Sequence, residues 1–428
     1  MLQICGYKYE LQVNNKERTR LTQCSGIARF TWNWGLADRL QRYKEQKGNN
    51  RYTDAMKQHK LLNRLKQTEF PWMYEVSKCV PQDALRDLEQ AFQHFYRDRK
   101  QAKANNRKSR VGFPKFKKKY KAKDSFRLMG TIKVFPQQRR VQLPRLGQLR
   151  VKETPVFPST TRILSATVSR TANRWYVAFT VEEEQAIPTR GYEKVLGLDA
   201  GLTRFITLSS GILVPKPMFL LKRVKKLQRL SKAHSRKQSG SNNRRKSAQR
   251  LSNFHAKVAN IRKDFHHKLS HTLVKSHDVL VVEDLYIKGL IKNKKQSRHW
   301  ADLAHGEFRR LLTYKSAKNG VLLVEADRWF PSSKLCSNCL MYHPKLTLKD
   351  RIFCCPFCGL EFDRDYNAAL NLEQYFYSYI LWQVISQSHV AESSAETLNA
   401  CVEMIRPVYP QAHLNEAGRQ ALLKTDWS

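Results

Sequence analysis

Three carboxylates stand at the ends of regular stretches. Asp199 closes the apolar run Val195-Leu196-Gly197-Leu198 and is followed by Ala200-Gly201-Leu202. Glu283 ends Val279-Leu280-Val281-Val282. Asp365 sits in Asp363-Arg364-Asp365-Tyr366-Asn367-Ala368-Ala369, an acidic turn opening a helix. Short apolar runs read as buried strands. One aspartate at such a place is equally well explained as closing a turn. Three acids, each at an element end, can converge into the oxygen cluster that hard divalent cations need.

A second chemistry lies in the cysteines. Cys336-Ser337-Asn338-Cys339 and Cys355-Pro356-Phe357-Cys358 are fifteen residues apart, a zinc-site spacing. Four thiolates make a closed tetrahedral structural site with no open position for catalysis. Cys354 adjoins the second pair, at the wrong offset for a tight knuckle. Cys5, Cys24, Cys79 and Cys401 are scattered. Paired cysteines in a chain this long suggest metal rather than disulfides, and so a reducing, cytoplasmic setting.

The charge names a partner class. The 428 residues carry 78 Lys and Arg against 36 Asp and Glu, a net +42 with pI about 10.1. An excess this large repels itself without a polyanion, and it is the electrostatic footprint of nucleic-acid binding. From Glu373 onward the net is −3, which leaves +45 on the first 372 residues. The body therefore meets the polyanion. The polar, Ser- and Ala-rich tail 386–428 is expected to be disordered or loosely helical. No apolar run reaches the ~18 residues of a spanning helix, and a signal-peptide layout is absent, so no membrane partner is expected.

The elements that must position these residues follow in order. Tyr7, Tyr9, Leu11 and Val13 alternate with polar residues as a half-buried strand. Helical periodicity then runs from Lys16, through about 53–68, to 82–103, with a polar loop at 46–52 and Pro81 just ahead of the last helix. Phe113 to Tyr120 interleaves aromatics with Lys115, Lys117, Lys118 and Lys119, so that rings could stack on bases while ammonium groups meet phosphates. Short strands near 131–135, 140–143, 148–152, 161–170 and 174–183, the last two joined by the turn Thr171-Ala172-Asn173, make a small barrel or sandwich. The first strand joins it, and the helices are an insertion.

After Asp199 come strands at 204–208 and 212–214. Residues 221–270 hold sixteen Lys or Arg and one Asp, on two helices broken at Ser239-Gly240-Ser241-Asn242. A run so nearly single-signed is costly unless it faces phosphates. Lys222, Arg223, Lys225, Lys226, Arg244, Arg245, Lys246, Arg262 and Lys263 are its candidate contacts. The Glu283 strand follows, then a loop 287–298, a helix about 303–317 and a strand 321–324. Three strands, helix, strand, helix, strand is a ribonuclease-H-like order.

Together Gly-Leu-Asp-Ala-Gly-Leu, Val-Val-Glu-Asp-Leu, Cys-Ser-Asn-Cys, Cys-Pro-Phe-Cys-Gly and Asp-Arg-Asp-Tyr-Asn-Ala-Ala-Leu-Asn-Leu resemble the TnpB (OrfB) family of transposon-encoded proteins, relatives of type V CRISPR effectors. Gly26 to Phe30 with Trp32-Asn33-Trp34, Arg262 to Phe265, Glu307-Phe308-Arg309 and Pro331 to Lys334 extend the likeness over about residues 5–375. His305-Gly306 stand where Gly-Trp is usual, and Leu340 stands where Gly is usual.

The resemblance implies an RNA-guided, metal-dependent DNA endonuclease with a multidomain α+β fold. A β-barrel wedge domain (1–14 and 106–190) would carry a helical recognition domain (15–105). A ribonuclease-H-like RuvC α/β domain (191–333 and 360–385) would carry a zinc-ribbon insert that holds target nucleic acid (334–359). Asp199, Glu283 and Asp365 match the family's catalytic trio, Asp365 being preferred to Asp363 because it directly precedes the x-Asn of the motif. The implied cofactors are two Mg²⁺ held by that trio and one Zn²⁺ held by Cys336, Cys339, Cys355 and Cys358. The implied partners are a guide RNA from the transposon end and double-stranded target DNA beside a short flanking motif, in a prokaryotic cytoplasm. The alternatives are a guide-independent resolvase or transposase using the same acids, and a non-catalytic zinc-containing regulator of transposition.

Overall fold

Alternation of apolar and polar residues builds the sheet of the first unit. β1 (Leu2–Gln12) buries Tyr9 and Leu11, and α1 (Asn15–Glu45), α2 (Ala55–Thr68) and α3 (Cys79–Ala104) follow it. Six strands come next: β2 (Ser125–Leu128), β3 (Lys133–Phe135), β4 (Arg140–Leu143), β5 (Gly147–Val151), β6 (Arg162–Thr171) and β7 (Arg174–Glu184). In β7, Trp175, Val177, Phe179 and Val181 are buried at every second position, as a one-sided strand requires. The computed structural model describes residues 2–45, 53–158, 161–184, 186–347 and 349–381. The loop 46–52 and the tail 386–428 lie outside them.

The strand order is β2-β6-β7-β1-β5-β4-β3, antiparallel throughout. Among the described residues no pairing joins β3 back to β2, so the expected barrel stands as one seven-stranded sheet. β6 and β7 meet through Ala172-Asn173, with Ala172 at φ +57°. The three helices lie in the chain between two strands of this sheet and share its core through Leu21, Ile27, Leu62 and Leu85. Pro81 lies inside the first turn of α3 rather than ahead of it, where its missing N–H would have had no helical partner anyway.

The chain divides into two units between Ala186 and Ile187. The second unit holds β8 (Val195–Ala200), β9 (Arg204–Leu208), β10 (Leu213–Pro215), α4 (Val224–Ser235), α5 (Asn242–Ser276) and β11 (Val279–Glu283). Then come α6 (Ile287–Lys292), α7 (Ser297–Leu303), α8 (His305–Lys318), β12 (Leu322–Ala326), β13 (Ile352–Cys354), β14 (Glu361–Asp363) and α9 (Arg364–Tyr375). The expected loop 287–298 is thus largely two short helices, six and seven residues long, too short for one-face periodicity to register in the sequence. Gly240, at φ +85°, breaks α4 from α5, and the Ser241 hydroxyl caps α5 by accepting from the Arg244 amide at 3.1 Å.

The sheet order is β10-β9-β8-β11-β12, with β8, β10, β11 and β12 running one way and β9 running against them. Its two faces have separate cores. Leu196, Leu198, Leu280 and Val282 pack with Leu269 and Leu273 of α5 and with Phe308 and Leu312 of α8. Val195, Val279, Val281 and Val324 face the other way, onto Leu372 of α9 and Phe376. No described helix is long and apolar enough to cross a membrane.

Candidate active site and metal centre

Strand alternation decides where Asp199 and Glu283 point. Even-numbered Leu196 and Leu198 face α5 and α8, so Val195, Gly197 and Asp199 face α9. On β11, Val279 and Val281 face α9, and Glu283 follows at the same period. The parallel register pairs Val281 with Gly197 and Val282 with Leu198. One step further sets Glu283 beside Asp199, on strands about 4.8 Å apart.

α9 brings the third acid. It runs antiparallel to β8: Leu372 shares a core with Val195, and Ala369 covers Gly197. A turn toward its N-terminus, about 5.4 Å, lies Asp365, above Asp199. The Asp363 carboxylate caps the helix, accepting from the Asp365 and Tyr366 amides at 3.1 and 3.2 Å, and pairs with Arg204 at 2.9 Å. Asp363 is therefore engaged in the cap and the Arg204 pair, and of the two acids Asp365 acts the more strongly on Asp199.

The electrostatics tie the three together. Burial pushes the Asp199 carboxyl well above the ordinary range, and the charges of Glu283 and Asp365 push it further, against the Arg364 guanidinium. Glu283 is raised too, by burial first and then by Asp365. Ser332 donates to Glu283 Oε1 at 2.7 Å and opposes that rise. Arg364 lies 3.4 Å from Asp365. Beside them Asp284 takes Arg309 at 2.9 Å and also Arg328. Nothing local to Ser332 marks Glu283 as its partner: the contact depends on how separate elements meet.

The cysteines form a tighter group. Cys336, Cys339, Cys355 and Cys358 bring four sulfurs within 4.8 Å of one another. Cys336 to Cys358 is 3.6 Å and Cys339 to Cys355 is 3.5 Å, close to the ~3.8 Å edge of a tetrahedron with 2.3 Å Zn–S bonds. The donor set and its size fit zinc. Cys354 is exposed on β13 and outside the group. The two knuckles repeat one pattern: the Leu340 amide donates to the Cys336 carbonyl and the Gly359 amide to the Cys355 carbonyl, at 2.9 and 3.0 Å. Among the described residues this is the one group of three or more such side chains that close, and the carboxylates do not draw in so tightly.

α9 joins the two centres. Asn367 Oδ1 accepts from the Ser337 amide at 3.0 Å while its Nδ2 donates to the Leu335 carbonyl at 2.6 Å. Asn371 donates to the Ser332 and Leu335 carbonyls, and Gln374 to the Ser337 carbonyl at 2.6 Å. The first zinc knuckle and Asp365 thus share one helix.

The candidate phosphate contacts divide. Lys115, Lys118, Lys119, Lys222, Lys225, Lys226, Arg245, Lys246 and Lys263 are exposed. Lys117 is not available: its ammonium lies 3.5 Å from the Trp32 ring centroid, desolvated enough to lower its pKa, and Asn33 clasps its backbone. Arg262 pairs at 2.8 Å with the buried Asp302, which also caps the Leu220 and Leu221 amides. Arg244 closes the α4–α5 turn onto the Lys237 carbonyl at 2.6 Å, and Arg223 donates to the Phe219 carbonyl at 2.8 Å. These four are engaged within the fold, Lys117 and Arg262 by partners distant in the sequence and Arg223 and Arg244 by nearby carbonyls.

Three family models match the chain: one described as "Probable transposase" over residues 178–294, one as "Cas12f1-like, TNB domain" over 305–372, and one as "Helix-turn-helix domain" over 1–48. In the last span the described residues form a strand and one 31-residue helix. A protein of Streptomyces pristinaespiralis named "Putative RNA-guided DNA endonuclease" is 32% identical over 368 residues, 86% of this chain and 88% of that one. A protein of Escherichia coli (strain K12) named "Putative RNA-guided DNA endonuclease InsQ" is 28% identical, over 87% of this chain and 92% of its own. A solved structure titled "Cryo-EM structure of the Cas12f1-sgRNA-target DNA complex" aligns at 12% identity and TM-score 0.48, covering 83% of this chain and 82% of that one.

Proposed function

This chain belongs to the TnpB (OrfB) family of transposon-encoded proteins, and from that premise we propose that it is an RNA-guided, metal-dependent DNA endonuclease with a single RuvC-type site. The observation that carries the reading is the convergence of Asp199, Glu283 and Asp365, from two strand ends and a helix start, into one mutually repelling group. Desolvated carboxylates that raise one another are unfavourable unless cations neutralise them. Two Mg²⁺ ions fit this all-oxygen donor set and, when bound, would supply an activated water and neutralise charge on the leaving 3′ oxygen. The protein's own part is placement. Ser332 fixes the Glu283 carboxylate, the Asp363 cap fixes the first turn of α9, and Gly197 lets that helix lie against β8.

The zinc ribbon would hold target nucleic acid close to the carboxylates. The seven-stranded sheet would be the wedge, the three helices the recognition domain, and the exposed lysines of α4 and α5 would track RNA or heteroduplex backbone. Sequence choice would come from base pairing with an RNA from the transposon end, and a short flanking DNA motif would license opening. The site of action would be the prokaryotic cytoplasm.

The test is cleavage of a plasmid target by protein loaded with its native flanking RNA in Mg²⁺. Asp199→Ala should abolish cutting and leave RNA binding nearly unchanged. If that variant cuts, the site assignment is wrong. The match to the model described as "Probable transposase" favours, as a second reading, a guide-independent strand-transfer or resolving enzyme. One discrete co-purified RNA species supports the first reading, and its absence with retained DNA cutting supports the second.

A further inference from the structure

Two exposed aromatics leave the ends of the strands that frame Glu283. Tyr286 follows Glu283 by three residues. Trp329 follows by three the residue paired with Glu283, Ala326. Tyr286 is 53% exposed and Trp329 85%, more than any other large apolar side chain among the described residues. The indole is not on a loose loop. The Trp329 amide donates to Asp327 Oδ1 at 2.8 Å, and the Phe330 amide to the Asp327 carbonyl at 3.0 Å. On one side Arg328 pairs with Asp284 and lies 5.6 Å from the Tyr286 ring centroid. On the other, Phe330 packs on Tyr375 with ring centroids 4.8 Å apart, and Ser332 holds Glu283. Both flanks are tied down while the largest apolar ring faces water.

We propose that Trp329, with Tyr286, is a stacking subsite for an unpaired base of the DNA strand entering the carboxylate site. The proposal deepens the endonuclease reading and rests on it. Every base offers a π-face, so stacking tolerates any sequence and suits a site where pairing with a guide sets sequence choice. The surroundings fit a nucleic acid better than a protein partner. Asp327 and Arg328 precede the tryptophan in the chain, Arg328 is paired with Asp284, and the chain carries +42.

The probe is a single-stranded oligonucleotide carrying 5-iodouracil, irradiated with guide-loaded Asp199→Ala protein. The photocrosslink should map to the tryptic fragment Trp329–Lys334 and vanish in the Asp199→Ala, Trp329→Ala double variant. In otherwise native guide-loaded protein, Trp329→Ala should raise the KM for target DNA roughly 5- to 150-fold, the range of one lost stack, with kcat within about 2-fold, whereas Trp329→Phe should recover most of the loss. Trp329 is too exposed for its truncation to unfold the chain. Crosslinks confined to other fragments, or a Trp329→Ala variant with unaltered KM, would overturn the proposal. Cutting by Asp199→Ala protein would instead sink the assignment of the carboxylate site, and the crosslink map would still judge the subsite.

Discussion

The Ala369 carbonyl oxygen lies 2.0 Å from where a Cβ on Gly197 would stand, and the Glu373 amide nitrogen 2.7 Å from it. Both obstacles are backbone, so no rotamer change can make room. Gly197→Ala must lift α9 from β8 and carry Asp365 away from Asp199. The expected cost is about 1–3 kcal/mol of stability, and a displacement near 1 Å lowers cutting about 100-fold. Thermal unfolding and single-turnover cleavage read the two effects. Parental activity would mean that α9 does not set the site.

Zinc removal should reach the carboxylates through the same helix. Chelator treatment, or Cys336→Ser, should release one zinc per chain by metal analysis and abolish cutting even in excess Mg²⁺, with zinc restoring the chelated protein. Asn367→Ala leaves the Ser337 amide without its acceptor, while the Leu335 carbonyl keeps Asn371, and should cost about 1–3 kcal/mol. Full activity in zinc-free protein would contradict this.

Leu340 holds φ +59° where the matching residue of the second knuckle, Gly359, holds +73°. A left-handed leucine costs about 1–2 kcal/mol. Its side chain is 55% exposed, so little packing is lost with it. Leu340→Gly should therefore tighten the ribbon by about 1 kcal/mol, seen as slower zinc loss to a chelator. Faster loss would show that the leucine contributes more than its backbone strain costs.

Protonation should weaken the second unit. His266 and His305 are buried and both stack on Phe205, with ring centroids 5.4 and 4.6 Å from it, and burial lowers each pKa from 6.5 to about 4. Between those values the unfolded chain binds protons that the folded chain refuses. Stability is therefore intact above about pH 6.5, falls as pH drops toward 4, and levels off below. Melting from pH 7.5 down to 4.5 should show a loss of several kcal/mol, about halved in His305→Phe, which keeps His266. A flat profile would refute the neutral stack.

Lys117 and Lys118 are neighbours with opposite expected roles. Lys118→Ala should reduce the slope of log affinity against log salt by about 1 and leave melting unchanged. Lys117→Ala should leave that slope alone and cost about 1 kcal/mol by uncovering Trp32. Matching salt slopes for the two variants would undo the distinction.

What the sequence made legible was whatever local period or spacing records. Trp175 to Val181 alternate, the cysteine pairs sit at knuckle spacing, and Gly240 interrupts a basic helical pattern. Asp199, Glu283 and Asp365 each announce an element end. Illegible were contacts made across long gaps. Arg262 finds Asp302 forty residues away, Lys117 finds Trp32 eighty-five away, and Ser332 finds Glu283 from the next strand's loop. Nothing within one turn or one strand of these residues marks the partner. The short helices α6 and α7 escaped because six or seven residues cannot display a helical period.

The three acids arrive in order along the nascent chain, and the last is carried by the helix that must lie on Gly197. A ribosome that has released 350 residues has delivered two of them and half of the zinc-ribbon thiols. Products ending there would hold the basic residues proposed to meet nucleic acid, yet they lack the third acid of the proposed cutting site and the helix that covers one face of its sheet. Cutting at the proposed site would wait for a nearly finished polypeptide.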